Sequence, residues 1–445
     1  MTNKRPYHDE AVRFLLSRKR AALWIGMGGG KTRIVIDAAV RAGGRVLVLA
    51  PNALVRDDVW ARQLERWVPT ARVCVIKAGA QTDRQAIESA DFVVSTYKLA
   101  DSRGLPALAK LFNVLILDES SVLENPRSLT TKTALALARK IPCVFELTGT
   151  PAADDLMGLW SQISLLRPGL LGRLGEFRQR WFIEKPIRVR GGRRVSTWTP
   201  KPNAERDLAK FLKLAGVVFA VDQADVADIV GTVGWEHELL RHKTSQEAAA
   251  AAHSIVQTGV AHVDGYNIVA PDQATRVQKS LQLAAGFVIL DEDRVVELDR
   301  CKFNAALNWA KRNTPCFVVC AYRYAVQQWR DAGAAVLTAD NLDLVDAWNA
   351  GKIDILVANY RSVSHGIELQ HGGRSILFYN AIYSNESWHQ AVHRLVRPGQ
   401  IERVHVCEAV AANSIEEIIA TQRRPDKQLK QRELLKLVAS SWTKR

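Results

Sequence analysis

Short apolar runs alternate with amphipathic stretches through the first third of the chain. The runs at residues 46–50 (VLVLA), 92–95 (FVVS), 114–117 (VLIL) and 144–147 (VFEL) are nearly all apolar and rich in β-branched side chains, as strands buried on both faces are. Residues 56–67 and 129–139 carry apolar side chains at helical spacing, so each predicts a helix that lays one face on a sheet. Together they predict a doubly wound parallel sheet. A second alternation begins near Cys301. Its runs at 317–321, 334–337, 353–357, 375–379 and 404–407 predict strands, with helices over 325–331, 342–350 and 387–395.

The stretch between these alternations, 168–299, reads differently. Residues 187–195 (IRVRGGRRV) place Gly-Gly between alternating residues and predict a basic hairpin; 246–256 is an alanine-rich helical segment. The basic tail, 421–445, predicts a further helix, and no solenoid repeat is visible. The expected fold class is therefore α/β: two doubly wound parallel-sheet lobes with a mixed helical and hairpin insertion between them and a C-terminal helix. The expected domains are 1–167, 168–299, 300–420 and 421–445.

At 445 residues the chain is long enough for two or three domains, each with its own core. A formal net charge of +15 and a pI near 9.6 attract polyanions, which leaves nucleic acid, a membrane surface or an acidic partner open. The apolar stretch 21–27 runs straight into glycines and is too short to span a bilayer, so a soluble intracellular protein is expected. Six scattered cysteines, Cys74, Cys143, Cys301, Cys316, Cys320 and Cys407, form no CxxC pair and lack a histidine at zinc spacing. They are expected as reduced thiols in a reducing cytoplasm.

Two patterns carry chemistry. Gly26-Met27-Gly28-Gly29-Gly30-Lys31-Thr32 follows the apolar 22–25 and precedes the helical 33–41. Glycines let backbone amides turn toward phosphate oxygens, the helix start adds positive potential, Lys31 reaches the outer phosphates, and Thr32 can ligate Mg²⁺. Ile25 stands where the full GxxxxGKT pattern has its first glycine, and a glycine-rich turn without nucleotide is the alternative. Further on, Asp118-Glu119-Ser120-Ser121 ends the run 114–117. There Asp118 can hold Mg²⁺ through water and Glu119 can orient and deprotonate an attacking water; the alternative is a solvated pair at a strand exit.

Pro6-Tyr7-His8, Ala50-Pro51-Asn52 with Trp60, Glu65 and Trp67, Ser95-Thr96-Tyr97, and Thr148-Gly149-Thr150-Pro151 follow one another in the first alternation. The second holds Ser362-Val-Ser364-His365-Gly366-Ile-Glu368-Leu369-Gln370 and Gln390-Ala-Val-His-Arg394-Leu-Val-Arg397-Pro-Gly399-Gln400. In this order the motifs resemble those of superfamily 2 helicases, and within them the Swi/Snf-type translocases, especially compact phage or bacterial forms. The resemblance covers roughly 5–170 and 300–420 and implies two RecA-like lobes.

The resemblance also implies roles. Tyr7 and His8 fall at the adenine-sensing motif, His8 standing where the family has glutamine. Pro51 and Asn52, then Ser95, Thr96 and Tyr97, fall at motifs Ia and Ib, which line the nucleic-acid track. Tyr322 and Ser364 are further track candidates in the second lobe, and Gly366 falls at the nucleotide. Thr148, Gly149 and Thr150 fall at motif III, which links hydrolysis to lobe movement. Gln390, Arg394 and Arg397 fall at motif VI, the two arginines at arginine-finger positions; on one helix, three residues apart, they would share a face. Arg188, Arg190, Arg193 and Arg194 of the hairpin could clamp DNA or merely be solvated. Arg423, Arg424, Lys427 and Lys430 are weaker basic candidates, and Trp198 and Trp388 either stack on bases or pack.

The implied activity is that of an ATP- and Mg²⁺-dependent motor on DNA, duplex favoured and single strands allowed, monomeric, in a bacterial cell or phage-infected host. Open beside it stand an ATP-driven switch or assembly factor acting on a protein partner, and a binding module with a degenerate ATPase.

Overall fold

The computed structural model describes residues 4–79, 84–152, 155–188, 194–231, 233–291, 294–338, 340–362 and 367–438. It divides into two compact units, residues 1–230 with 429–445, and residues 231–428.

In the first unit the strands are β1 (Arg20–Ile25), β2 (Val46–Ala50), β3 (Val73–Ile76), β4 (Phe92–Thr96), β5 (Val114–Asp118), β6 (Cys143–Thr148), β7 (Phe182–Arg188), β8 (Arg194–Pro200) and β9 (Val218–Val221). Seven form one sheet in the order β3-β4-β2-β5-β6-β1-β9, every neighbouring pair parallel. Alternate side chains feed two cores: Leu47, Leu49, Leu115 and Leu117 on one face, Val46, Val48, Val114 and Ile116 on the other. A sheet covered on both faces needs nearly continuous apolar strands, and β2, β4 and β5 are buried throughout. The Arg20 guanidinium, at the start of β1, donates to the carbonyls of Ala138, Ile141, Leu165 and Leu166 at 2.7–2.9 Å, tying the C-terminal ends of two helices to the sheet.

The helix expected over 56–67 is broken. Asn52–Arg56 and Val59–Trp67 are separate helices because Asp58 takes a left-handed φ of 53° between them. The basic hairpin is present as the antiparallel pair β7 and β8, with Ile187 opposite Val195 and Arg188 opposite Arg194. Arg190 and Arg193 lie outside the described residues, and Arg188 and Arg194 are described by backbone register alone.

In the second unit the strands are β10 (Trp235–His242), β11 (Val260–Val263), β12 (Tyr266–Val269), β13 (Phe287–Ile289), β14 (Val295–Glu297), β15 (Cys316–Cys320), β16 (Ala335–Leu337), β17 (Ile355–Asn359), β18 (Ser375–Phe378) and β19 (Val404–Ala411). Six build a second all-parallel sheet, β10-β19-β18-β15-β17-β16, while β11 with β12 and β13 with β14 form small antiparallel pairs. The molecule thus has the two parallel-sheet lobes that the alternation implied. The stretch 168–299 is shared out between them: β9 extends the first sheet and β10 the second. Leu434, Leu435 and Val438, in the helix Arg424–Val438, are buried in the first unit's core.

Cys316, Cys320 and Cys407 are buried thiols, whereas Cys301 is exposed. Among the described residues no helix is long and apolar enough to cross a membrane.

Candidate active site

In the first unit three neighbouring parallel strands end side by side. β6 lies between β1 and β5, with Trp24 beside Thr148 and Asp118 beside Leu147. Parallel strands present their ligands at their C-terminal ends. The glycine loop after β1, the acidic pair after β5 and Thr148-Gly149-Thr150 after β6 therefore share one sheet edge.

The loop is shaped by close packing. Gly28 and Gly30 take φ of 74° and 82°, and Gly30 precedes the helix Lys31–Ala42, where Ile34 N–H reaches the Gly30 carbonyl at 3.1 Å. A Cβ on Gly29 would lie 2.4 Å from Ile25 Cγ2 and 3.0 Å from both the Gly26 carbonyl oxygen and Tyr7 Oη. The Lys31 ammonium donates to the carbonyls of Ile25 at 2.8 Å and Gly26 at 3.4 Å, so its charge sits over the loop. A Cβ on Gly149 would be 3.4 Å from Lys31 Nζ and 3.7 Å from Met27 N, which puts the Thr148–Thr150 backbone against the phosphate loop. Thr148 Oγ1 accepts the Thr150 N–H at 3.0 Å and holds that turn. Thr32 follows Lys31 in the first turn of the helix and is partly exposed.

Tyr7 and His8 are both buried here. Tyr7 Oη donates to the Gly29 carbonyl at 2.8 Å, and burial pushes the phenol up to about 12. His8 Nε2 lies 2.8 Å from Asp37 Oδ2, and Arg33 Nε is 3.1 Å from the other oxygen of Asp37. The segment is thus pinned to the loop and to the helix behind it.

Asp118 is buried and held from three sides. Trp60 Nε1 donates to its Oδ2 at 2.8 Å, the Glu119 N–H to its Oδ1 at 3.1 Å, and Tyr97 Oη to its backbone carbonyl at 2.8 Å. Burial, then the neighbouring Glu119 charge, push its carboxyl up to about 7, against the Trp60 hydrogen bond and the Lys31 charge. A desolvated carboxylate beside a second one gains from a nearby cation, so this donor set fits a divalent ion. Glu119 takes a left-handed φ of 49°, a conformation costing a residue with a Cβ about 1–2 kcal/mol.

Of the five track candidates in this unit, Asn52 is exposed and Pro51 partly so. Ser95, Thr96 and Tyr97 are buried, with Thr96 Oγ1 accepting the Leu99 N–H at 3.0 Å as a helix cap. Sequence reasoning missed the contact of Trp60 with Asp118 and missed Glu146, a wholly buried acid on β6. Burial pushes the Glu146 carboxyl well above the usual range, with Ser120 and Arg20 pulling the other way. Only its place in an otherwise apolar run marked it.

In the second unit Gln390 lies on the helix Asn385–Val392 and donates to Glu386 Oε1 at 3.1 Å. The arginines do not share a helix face, as expected from their spacing, because the helix stops at Val392. Pro398 disfavours helix for the residue before it, and Gly399 follows with φ of 99°. The two side chains converge all the same: Nη1 of Arg394 and of Arg397 donate to the Ile367 carbonyl at 3.1 and 3.3 Å. Arg397 also pairs with Glu368 at 3.3 Å. Ser364 and Gly366 lie outside the described residues. Tyr322, just after β15, packs edge-on against Phe287 at 5.5 Å. Trp388 stacks on Phe378 at 5.4 Å and is buried, so it packs rather than presenting a face. Arg424, a basic-tail candidate, is buried against Glu408 and donates to the Ile382 carbonyl at 3.0 Å. It is not a surface cation.

Residues 7–217 match the family model of the SNF2-related domain. Protein p41 of Acyrthosiphon pisum secondary endosymbiont phage 1 is 27% identical over 449 residues, 94% of this chain and 95% of p41. The SWI/SNF-related matrix-associated actin-dependent regulator of chromatin subfamily A-like protein 1 of Xenopus tropicalis is 32% identical over 192 residues, 42% of this chain. That match spans 20% of the Xenopus protein. The Sulfolobus solfataricus SWI2/SNF2 ATPase core in complex with dsDNA aligns with a TM-score of 0.43 and 18% identity, over 99% of this chain and 96% of that one. Residues 7–217 thus have the sequence character of an SNF2-related domain.

Proposed function

We propose that this chain is a DNA-dependent ATPase that moves along nucleic acid, with duplex DNA as its track. The observation that carries this reading is the meeting of Lys31, Gly149 and the Asp118–Glu119 pair at one sheet edge of an SNF2-related domain. Lys31 and the backbone of Gly26 to Gly30 bind the outer phosphates of ATP, and Tyr7 and His8 border its base. Thr32 and Asp118 would hold Mg²⁺, which when bound neutralises phosphate charge. Glu119 takes the proton of the attacking water on its carboxylate.

Arg394 and Arg397 are the proposed source of guanidinium charge for the transferred phosphoryl group, with Gln390 beside them in the same motif and Gly366 as a nucleotide contact. Thr148, Gly149 and Thr150 pass the state of the phosphates to the rest of the fold. Asn52, Pro51, Ser364, Tyr322 and the hairpin arginines Arg188, Arg190, Arg193 and Arg194 are the proposed DNA contacts. Contacts of this kind reach the phosphate backbone and read little sequence. The net charge of +15 supports a polyanionic track and makes binding salt-sensitive. A relative named as a regulator of chromatin supports DNA over RNA. We place the protein as a monomer in the cytoplasm of a bacterial cell or phage-infected host.

The test is ATP turnover measured without nucleic acid and with single strands, duplex DNA or RNA. Duplex DNA is expected to stimulate most, and Glu119→Gln to abolish turnover while keeping ATP-dependent DNA binding. Absence of stimulation by every nucleic acid would favour a switch acting on a protein partner.

A further inference from the structure

Trp60 and Tyr97 stand at the two sequence segments that resemble track-lining motifs, yet neither faces solvent. Trp60 lies in the first turn of the helix Val59–Trp67, which follows Pro51 and Asn52, and its indole N–H ends on the Asp118 carboxylate. Tyr97 opens the helix Tyr97–Ser102, which Thr96 caps, and its hydroxyl ends on the Asp118 carbonyl. The first contact sets the rotamer of the carboxylate. The second sets the plane of the peptide that leads into Glu119, the residue held at φ of 49°. A shift of either helix therefore changes the aim of both acidic side chains.

We propose that Trp60 and Tyr97 are positioning residues that carry the state of the nucleic-acid track to the Asp118–Glu119 pair. The proposal rests on the motor reading above and adds a route by which DNA sets the rate of hydrolysis. Each donor is single and neutral, buried in a tightly packed neighbourhood, so it transmits orientation rather than charge. Asn52, exposed on the short helix that precedes that of Trp60, is the part of the first segment open to a phosphate.

Trp60→Phe and Tyr97→Phe each remove one hydrogen bond and keep a ring in place; thermal melting checks folding, and Tyr97→Phe is the gentler change. The first readout is binding of a fluorescent ATP analogue titrated with Mg²⁺, which needs no turnover. Loss of an outer-shell partner commonly weakens metal binding by about 10-fold or more, so the Mg²⁺ midpoint of Trp60→Phe is expected to rise by about that factor. The second is the ratio of duplex-stimulated to basal turnover, expected to fall several-fold in Tyr97→Phe while duplex affinity is unchanged. A wild-type Mg²⁺ midpoint in Trp60→Phe together with a wild-type ratio in Tyr97→Phe overturns the proposal. If wild-type protein hydrolyses ATP but ignores every nucleic acid, the motor reading fails instead, and the coupling route fails with it; a raised Mg²⁺ midpoint then supports the positioning of Asp118 alone.

Discussion

His242, the last residue of β10, is buried beside Lys302 and close to Glu416. Burial, then the Lys302 charge, lower its imidazole from 6.5 to about 4. The folded state therefore binds this proton more weakly than the unfolded chain does. Its neutral form contributes full stability above about pH 6.5, and that contribution is lost as the pH falls toward 4, on the order of 3 kcal/mol in all. His242→Phe is expected to flatten the acid side of a melting-temperature profile between these limits; an unchanged acid slope would show that other groups set it. Other single residues were legible earlier. Lys31 stood out at the end of a glycine-rich loop, and Asp118 and Glu119 because acids are rare at the end of an apolar run. The contact of Trp60 with Asp118 did not, since a bond between residues 58 positions apart leaves no periodic trace.

At the level of elements, the apolar strands were legible because both of their faces are buried. β10 was not: Trp235–His242 is an edge strand with a mixed, half-exposed pattern, so its polar residues hide it. The helix read over 56–67 begins at Val59 instead, because the left-handed Asp58 interrupts the apolar spacing with a single backbone angle, and the short helix Asn52–Arg56 before it was not read. The arginine pair was read onto a helix that stops at Val392, before either arginine, although convergence on the Ile367 carbonyl keeps the side chains together. Arg20 shows what such anchoring contributes. Its guanidinium serves four carbonyls, and hydrogen bonds to charged groups are each worth about 1.5–3 kcal/mol. Arg20→Met is expected to destabilise the first unit by roughly 3 kcal/mol or more, read as a lower urea midpoint. A midpoint within error of wild type would mean that water replaces the guanidinium at little cost.

Across the whole molecule there are two parallel-sheet units, the first holding the match to the SNF2-related domain, and the phage relative p41 matches nearly from end to end. The chain spans about a fifth of the length of the Xenopus relative. A motor and a nucleotide switch share the same phosphate loop and acidic pair; they differ in whether hydrolysis produces travel. Displacement of a third strand from a duplex flanked by free DNA reads that travel directly. Wild-type protein with ATP is expected to release the third strand, and Glu119→Gln to leave it bound. Duplex-stimulated ATP hydrolysis with the third strand still in place would contradict the motor.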